Sequence, residues 1–370
     1  MLKIRLSLIF SESSFAKGQR LLEEIRTIPP LDIAGVRILS LGLPAEIDGK
    51  CRVHWTQTIS MATCPVCGAS GWELGMRWLP KFNHNPPEIL QFGASNLHAE
   101  GGVFRWLKKG CCYRDFKCHD ARGDTNKALK KQRADEMVED FRAKMGLTVD
   151  KLMSGQAAGG TSTTGTVVRS AMDRPELLSE VLHIFPVEEL EDWMVFFQAF
   201  NCGLALDPQE IYKLQQQMLN RFHSSERKWH RFSVYPHLML HHGHKFVEFF
   251  PVPPGLLSEQ GSEAKNKVFR QDRQYHARQT DPVSNILDVA LRSHRRAEPL
   301  TNAFLSRPKR HRELHPRVVK LLANPEAGDI LPLPAGPYEE EDAPEEGLEP
   351  TTEDQVTDVN GAGDAMDVDN

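Results

Sequence analysis

The chain has 370 residues, 40% hydrophobic and 26% charged, which places it among mostly globular chains with room for two or three domains and at least one sizeable core. Its formal net charge of −5 hides an asymmetry: residues 338–370 hold thirteen Asp or Glu and no Lys or Arg, so the rest, with 45 bases against 37 acids, carries +8. Seven cysteines are too few for a disulfide scaffold and suit a reducing compartment.

The N-terminal "KIRLSLIF" alternates basic and apolar residues and reads as a strand. "SFAKGQRLLEEIRTI" follows as a helix with Leu21, Leu22 and Ile25 on one face, ended by Pro29 and Pro30. In "PPLDIAG", Asp32 reads as part of a turn. "AGVRILSLGLPAEIDGKCRVHW" then reads as two strands meeting at a hairpin turn around Asp48 and Gly49.

From about 95 to 230 the pattern is helical, as in "NKALKKQRADEMVEDFRAKMG" and "PQEIYKLQQQMLNRF", interrupted by the loop-like "SGQAAGGTSTTGT". "WMVFFQAFNCGLAL" is the longest apolar-rich run, but it has fourteen residues and includes Gln198 and Asn201, short of the roughly 20 a membrane span needs. The charge-free start, Leu6 to Phe10, is also shorter than a signal peptide's core of about 7–15 residues, so the expectation is a soluble intracellular protein with no membrane partner. Helical signals resume at Ser258 and run through "SNILDVALRSHRR" and "HPRVVKLLA", and after about residue 325 a Pro-rich, then acidic, segment reads as disordered.

Two ligand pairs stand out. Cys64 and Cys67 form a C-x-x-C knuckle, whose two thiolates suit half of a tetrahedral zinc site, although a redox pair or a plain tight turn fits the same four residues. In "PHLMLHHGH", His237 and His242 are spaced within the range of zinc-finger histidine pairs, with His241 and His244 crowding in, and a surface histidine cluster is the plainer reading. Cys111, Cys112, Cys118 and His119 form a second, irregularly spaced candidate group. Further along, "SEAKNKVFR" places Glu263, Asn266, Lys267 and Arg270 on one helical face. Such a face is either an ion-paired solvent surface or a place where a carboxylate holds a metal beside a phosphate.

In this order Asp48, CxxC, a long helical segment, H-x4-H and a basic helix led by Glu263 resemble the Transib transposases and their relative, the catalytic subunit of the V(D)J recombinase. "SEAKNKVFR" followed by "ARQ" is similar to the family's segment around the last carboxylate of its DDE triad, and "EEIRTIPPLDIAGVRILSLGLPAEIDGKC" to the strands that carry its second aspartate. "DFRAKMGLTVDKLMSG" and "FFQAFNCGLALDP" resemble its helical insertion. The resemblance implies that Asp48 and Glu263 are metal ligands of the triad and that Cys64, Cys67, His237 and His242 hold a structural Zn²⁺ between domains. It implies double-stranded DNA as partner, with Lys267, Arg270, Arg273 and Arg278 on phosphates, and a homodimer.

It also implies a mixed α/β but mostly helical fold. Residues 1–60 would be the remnant of an RNase H-like core, 61–250 a helical zinc-binding insertion, 251–325 the triad-Glu helix and C-terminal helices, and 326–370 the disordered acidic tail. One part of the pattern is missing. The family's first aspartate lies about a hundred residues before the second, only 47 residues precede Asp48, and neither Asp32 nor Glu12 replaces it.

Two-metal phosphoryl transfer needs carboxylates that hold ions about 3.5–4 Å apart, and Asp48 with Glu263 would hold one Mg²⁺ or Mn²⁺ weakly. The expectation is therefore a transposase-derived DNA-binding protein, catalytically incomplete as written. An active DDE recombinase with a truncated gene model and a zinc-stabilised interaction scaffold are the alternatives. "SRPKRHRELHPR" fits a nuclear localisation signal or a phosphate patch, which suits a nuclear protein, and the acidic tail suits basic partners.

Overall fold

The computed structural model describes residues 27, 31–33, 36–38, 56, 58, 60–76, 89–90, 93–114, 124–151, 163–227, 229–257, 260–297 and 313–326. For 31–33, 36–38, 124–125, 260–267 and 297 the description is of the backbone alone. The chain divides into two units, Met1–Tyr338 and Glu339–Asn370, and every described residue belongs to the first.

The expectation of a mostly helical chain holds. Among the described residues the strands are β1 (Leu31–Ile33) and β2 (Val36–Ile38), an antiparallel hairpin in register Leu31 with Ile38, Asp32 with Arg37 and Ile33 with Val36. Asp32 lies within β1, paired with Arg37, which corrects its reading as part of a turn. The stretch "VRI" pairs with "LDI", while the hairpin expected around Asp48 lies outside the described residues along with the first strand and nearly all of the first helix.

The helices in chain order are α1 (Asn96–Tyr113), α2 (Asp124–Met145), α3 (Gly165–Met172), α4 (Pro175–Leu182), α5 (Val187–Asn201), α6 (Pro208–Ser224), α7 (Val234–Phe249), α8 (Pro254–Leu257), α9 (Gln260–Tyr275), α10 (Pro282–Ala297) and α11 (Pro316–Val319). Local chemistry fixes their starts. Ser95 Oγ accepts the His98 N–H at the head of α1, Thr164 does the same for Val167 at α3, and Asp207 accepts from Gln209 and Glu210 ahead of Pro208 at α6. The Gly/Ser/Thr-rich stretch expected as loop thus ends at Thr164, where α3 begins.

The core forms where α1, α5, α6 and α7 meet. Trp106 of α1 is its hub: the indole lies flat against His230 at 4.5 Å and meets Phe185, Trp193, Phe222 and Phe232. Its Nε1–H donates to the Arg231 carbonyl, so the one polar atom of the ring is satisfied. On α5, Trp193, Phe196, Phe197 and Phe200 are all buried, and α7 buries most of its length. α7 reaches α5 and α6 so closely that a Cβ on Gly243 would lie 2.5 Å from Gln215 Nε2 and 3.0 Å from the Phe196 ring. Gln215 uses that proximity, its Nε2 donating to the Met239 carbonyl while its Oε1 accepts from His244 Nδ1.

Fully buried Asp192 of α5 holds two neighbours at once, Arg221 of α6 at 2.9 Å and Arg317 of α11. Residues 313–326, grouped by sequence with the Glu263 helix, pack through this pair onto α5 and the loop after it. Asp207 N–H donates to the Leu321 carbonyl, Ala323 N–H to Ala205, and His315 N–H to Gln198 Oε1. A separate pair, α9 and α10, is held by buried Asp272 with Arg292 and Arg296.

Two stability predictions follow from this interior. Asp192→Ala leaves two guanidinium groups facing an empty site and is expected to cost about 2–4 kcal/mol, below the range for a wholly buried pair because both arginines reach water. Urea denaturation measures the loss, and limited proteolysis should cut first near Arg317. His230, driven by burial to about 3, stays neutral when folded but takes a proton near 6.5 when unfolded. The unfolded state therefore binds more protons below about pH 6.5, and stability falls as pH drops from there toward 3. In His230→Phe the difference in unfolding free energy between pH 7 and pH 5 should shrink by about 2 kcal/mol.

Candidate metal centre

The C-x-x-C segment folds as a tight knuckle. Cys64 N–H donates to the Ala69 carbonyl and Gly68 N–H to the Cys64 carbonyl, both at 2.8 Å, while Thr63 and Ser70 pair across the base. Gly68 closes the loop at φ 74, where a side chain would be strained. A 3₁₀ turn, Gly71–Gly75, follows directly, its first N–H groups organised by Ser70 and Glu73. That turn buries Leu74 and delivers its carbonyl to α7.

On α7, His237 Nδ1–H donates to the Leu74 carbonyl at 2.9 Å, which leaves Nε2 as the lone-pair nitrogen, 3.3 Å from Cys67 Sγ. A carbonyl that fixes the far nitrogen is the usual means of orienting a metal-ligating imidazole. His242 is wholly buried and neither of its ring nitrogens makes a hydrogen bond within the described residues, an arrangement that is costly unless something else takes its lone pair. One ligand atom from each of Cys64, Cys67, His237 and His242 lies within 4.8 Å of the other three. Tetrahedral zinc bonds of about 2.0–2.3 Å set ligand separations of roughly 3.3–3.8 Å, so small adjustments bring all four onto one ion.

The electrostatics ask for a cation. Burial, foremost, and the neighbouring Cys67 push the Cys64 thiol well up, while the backbone N–H groups of Cys67 and Val66 pull against them. The hydrogen bond with Cys64 draws the Cys67 thiol far down against burial, assisted by His237 and His242. Burial disfavours charge on both sulfurs together, and a bound metal would hold both as thiolates. Burial pushes His242 down to about 4, so the imidazole is neutral and able to donate its lone pair at neutral pH. Four protein ligands close the coordination sphere, the mark of a structural rather than a catalytic zinc. Bound there, Zn²⁺ would tie the knuckle to α7.

The structure discriminates among the histidines of "HLMLHHGH". His241 lies beside His237, ring centroids 4.7 Å apart and tilted by 36°, without joining the four, and His244 turns to Gln215. Of the second candidate group, Cys111 and Cys112 are buried in α1 with thiols pushed up by burial, and Cys118 and His119 lie outside the described residues. Cys111 borders a cavity of about 270 Å³ with Arg114, Arg133, Glu136, Asp140 and His183.

Glu263 and Lys267 fall on α9 with backbone alone described, and Asp48 lies outside the described residues. Arg270 and Arg273 are exposed on α9. Arg278, just beyond it, grips Asp288 with Nε and one terminal nitrogen, each at 3.0 Å. Sequence reasoning missed the Leu74 carbonyl, and no side-chain pattern could have revealed a backbone acceptor.

Purified protein is expected to contain about one zinc per chain, lost in Cys64→Ala, by elemental analysis. Zinc free at a thousand times its Kd adds about 4 kcal/mol, roughly 8–16 °C in Tm for a body of this size, so chelation should lower Tm by that order. Because the ligands bind only when deprotonated, zinc affinity is expected to weaken as pH falls.

Compared with known proteins, the chain matches no family model and no curated protein.

Proposed function

We propose that the chain is a zinc-stabilised DNA-binding protein of the Transib and V(D)J-recombinase type, catalytically incomplete by itself and acting in the nucleus. The observation that carries this reading is that Cys64 and Cys67 meet His237 and His242 in one buried ligand set, in the order and pairing that the resemblance implies. In this reading residues 61–250 are the zinc-binding insertion, and residues 1–60 with α9 are what the chain keeps of an RNase H-like core. Zinc then has an architectural role, holding the insertion rigid so that α9 is presented to a duplex. Exposed Arg270 and Arg273 on α9 support phosphate contacts, which position DNA without reading its sequence. Asp48 and Glu263 would bind Mg²⁺ or Mn²⁺ weakly, and two-metal transfer would need a further carboxylate to bridge the ions at the attacking and leaving oxygens.

The test is duplex binding across a salt series, followed by a cleavage assay in Mg²⁺ or Mn²⁺. Affinity is expected to fall steeply with salt, and Arg270→Ala or Arg273→Ala should each reduce the slope of log K against log salt by about one. Arg278→Ala should matter less to DNA, since Arg278 already holds Asp288. Removing residues 338–370 takes away thirteen acids and no base, and should strengthen nonspecific binding. Salt-independent or absent binding would overturn the DNA reading, and strand cleavage by this chain would overturn the claim of incompleteness.

A further inference from the structure

The C-terminal end of α1, the middle of α2 and the end of α4 border a cavity of about 270 Å³, apart from the zinc site. Its floor is apolar, since Met137 and Val181 are buried and so is the Cys111 thiol beside them. Its rim carries charges of both signs, Arg114 and Arg133 against Glu136 and Asp140. All four reach the floor. Burial foremost pushes the Cys111 thiol up, Arg114 and Arg133 draw it down, and Asp140 and Glu136 push it up again.

Two of the rim residues are engaged within the fold. Asp140 has Lys144 Nζ at 3.2 Å and His183 Nε2 at 3.4 Å, and Arg133 donates to the Arg114 carbonyl, tying α2 to the end of α1. The other two keep their charges. Among the described residues the Arg114 guanidinium makes no ion pair, and Glu136 meets only the neutral Gln132 Nε2, which donates to it at 2.8 Å. A guanidinium and a carboxylate on one rim that do not close on each other suit a molecule with the complementary pair, a carboxylate for Arg114 and an ammonium for Glu136.

The backbone at one wall is held against its preference. His183 caps α4 at φ 61, in the left-handed region where glycine sits without strain and most other residues do not. A histidine there sets its imidazole against Asp140 on the cavity wall. Strain kept beside a cavity is a feature of ligand sites.

We propose that this cavity binds a small zwitterion with an apolar side chain, of the class of free α-amino acids. The carboxylate lies at Arg114, the ammonium at Glu136 and the side chain on Met137, Val181 and Cys111. The inference stands independently of the zinc and DNA readings. A cavity just below the roughly 300–1,000 Å³ of drug-sized pockets takes a ligand of few atoms, so the expected Kd is about 0.1–1 mM.

Isothermal titration calorimetry of the full chain with L-leucine tests it. Isocaproate, which keeps the carboxylate and side chain without the ammonium, and isoamylamine, which lacks the carboxylate, are the controls. Leucine should bind, and each control should bind about tenfold more weakly. Arg114→Gln and Glu136→Gln change rim side chains outside the core, so circular dichroism and zinc content should match wild type, while each raises the Kd for leucine about tenfold. The proposal is overturned if leucine gives no binding heat well above the expected Kd, if either control binds as tightly as leucine, or if neither variant changes its affinity. Binding of inorganic phosphate where leucine does not bind would overturn it in favour of a plain anion site at the two arginines.

Discussion

Two thiols and two imidazoles buried at one point are the constraint on which the helical body turns. Chain segments 170 residues apart meet where Cys67 faces His237, and each brings groups that burial alone disfavours. Burial disfavours ionising two adjacent thiols without a compensating charge, and a buried imidazole without a hydrogen bond is costly unless its lone pair is used. One tetrahedral cation answers both demands. The rest of the knuckle, with Gly68 turning the chain and Leu74 fixing the tautomer of His237, makes sense as support for that cation.

Elsewhere the body holds its pieces together by the same device with different chemistry. Asp192 receives Arg221 and Arg317, Glu189 receives Arg227, and Asp272 receives Arg292 and Arg296, each acid buried and each base reaching in from a different segment. Such pairs add little net stability compared with apolar packing, but one carboxylate with two arginines admits few arrangements. The Asp192 pair fixes residues 313–326 on α5, and the Asp272 pair fixes α10 on α9 with its charged side inward. That inward turn is what leaves Ile286 and Leu287 outside.

What was legible in the sequence was what short spacing determines. The knuckle at Cys64 and Cys67, the pair His237 and His242, the long helices and the helix bearing Glu263 all follow from spacing within a few residues. The hairpin of β1 and β2 was not legible, because two three-residue strands are too short for alternation to show, and Asp48–Gly49 offered a plain turn signal further along. The choice of His242 over His241 was suggested by spacing, yet it depends on where the knuckle sits against α7, a tertiary fact. The reversed faces of α10 were hidden for the same reason: the pattern shows an apolar stripe, while only Asp272 shows which way it points.

The zinc site and any phosphoryl chemistry are physically separable in this chain. A Cys₂His₂ set leaves no open coordination position, so a metal bound there would polarise no substrate and activate no water. Glu263 lies on α9, beyond the end of the helix that bears His237 and His242, so any carboxylate chemistry there would draw on other residues. A change at Glu263 would therefore leave the four buried ligands untouched. The buried ligands would still need their cation, and the exposed arginines of α9 would still attract phosphate. A metal-held architecture and carboxylate chemistry could be lost one without the other, because they would rest on different residues.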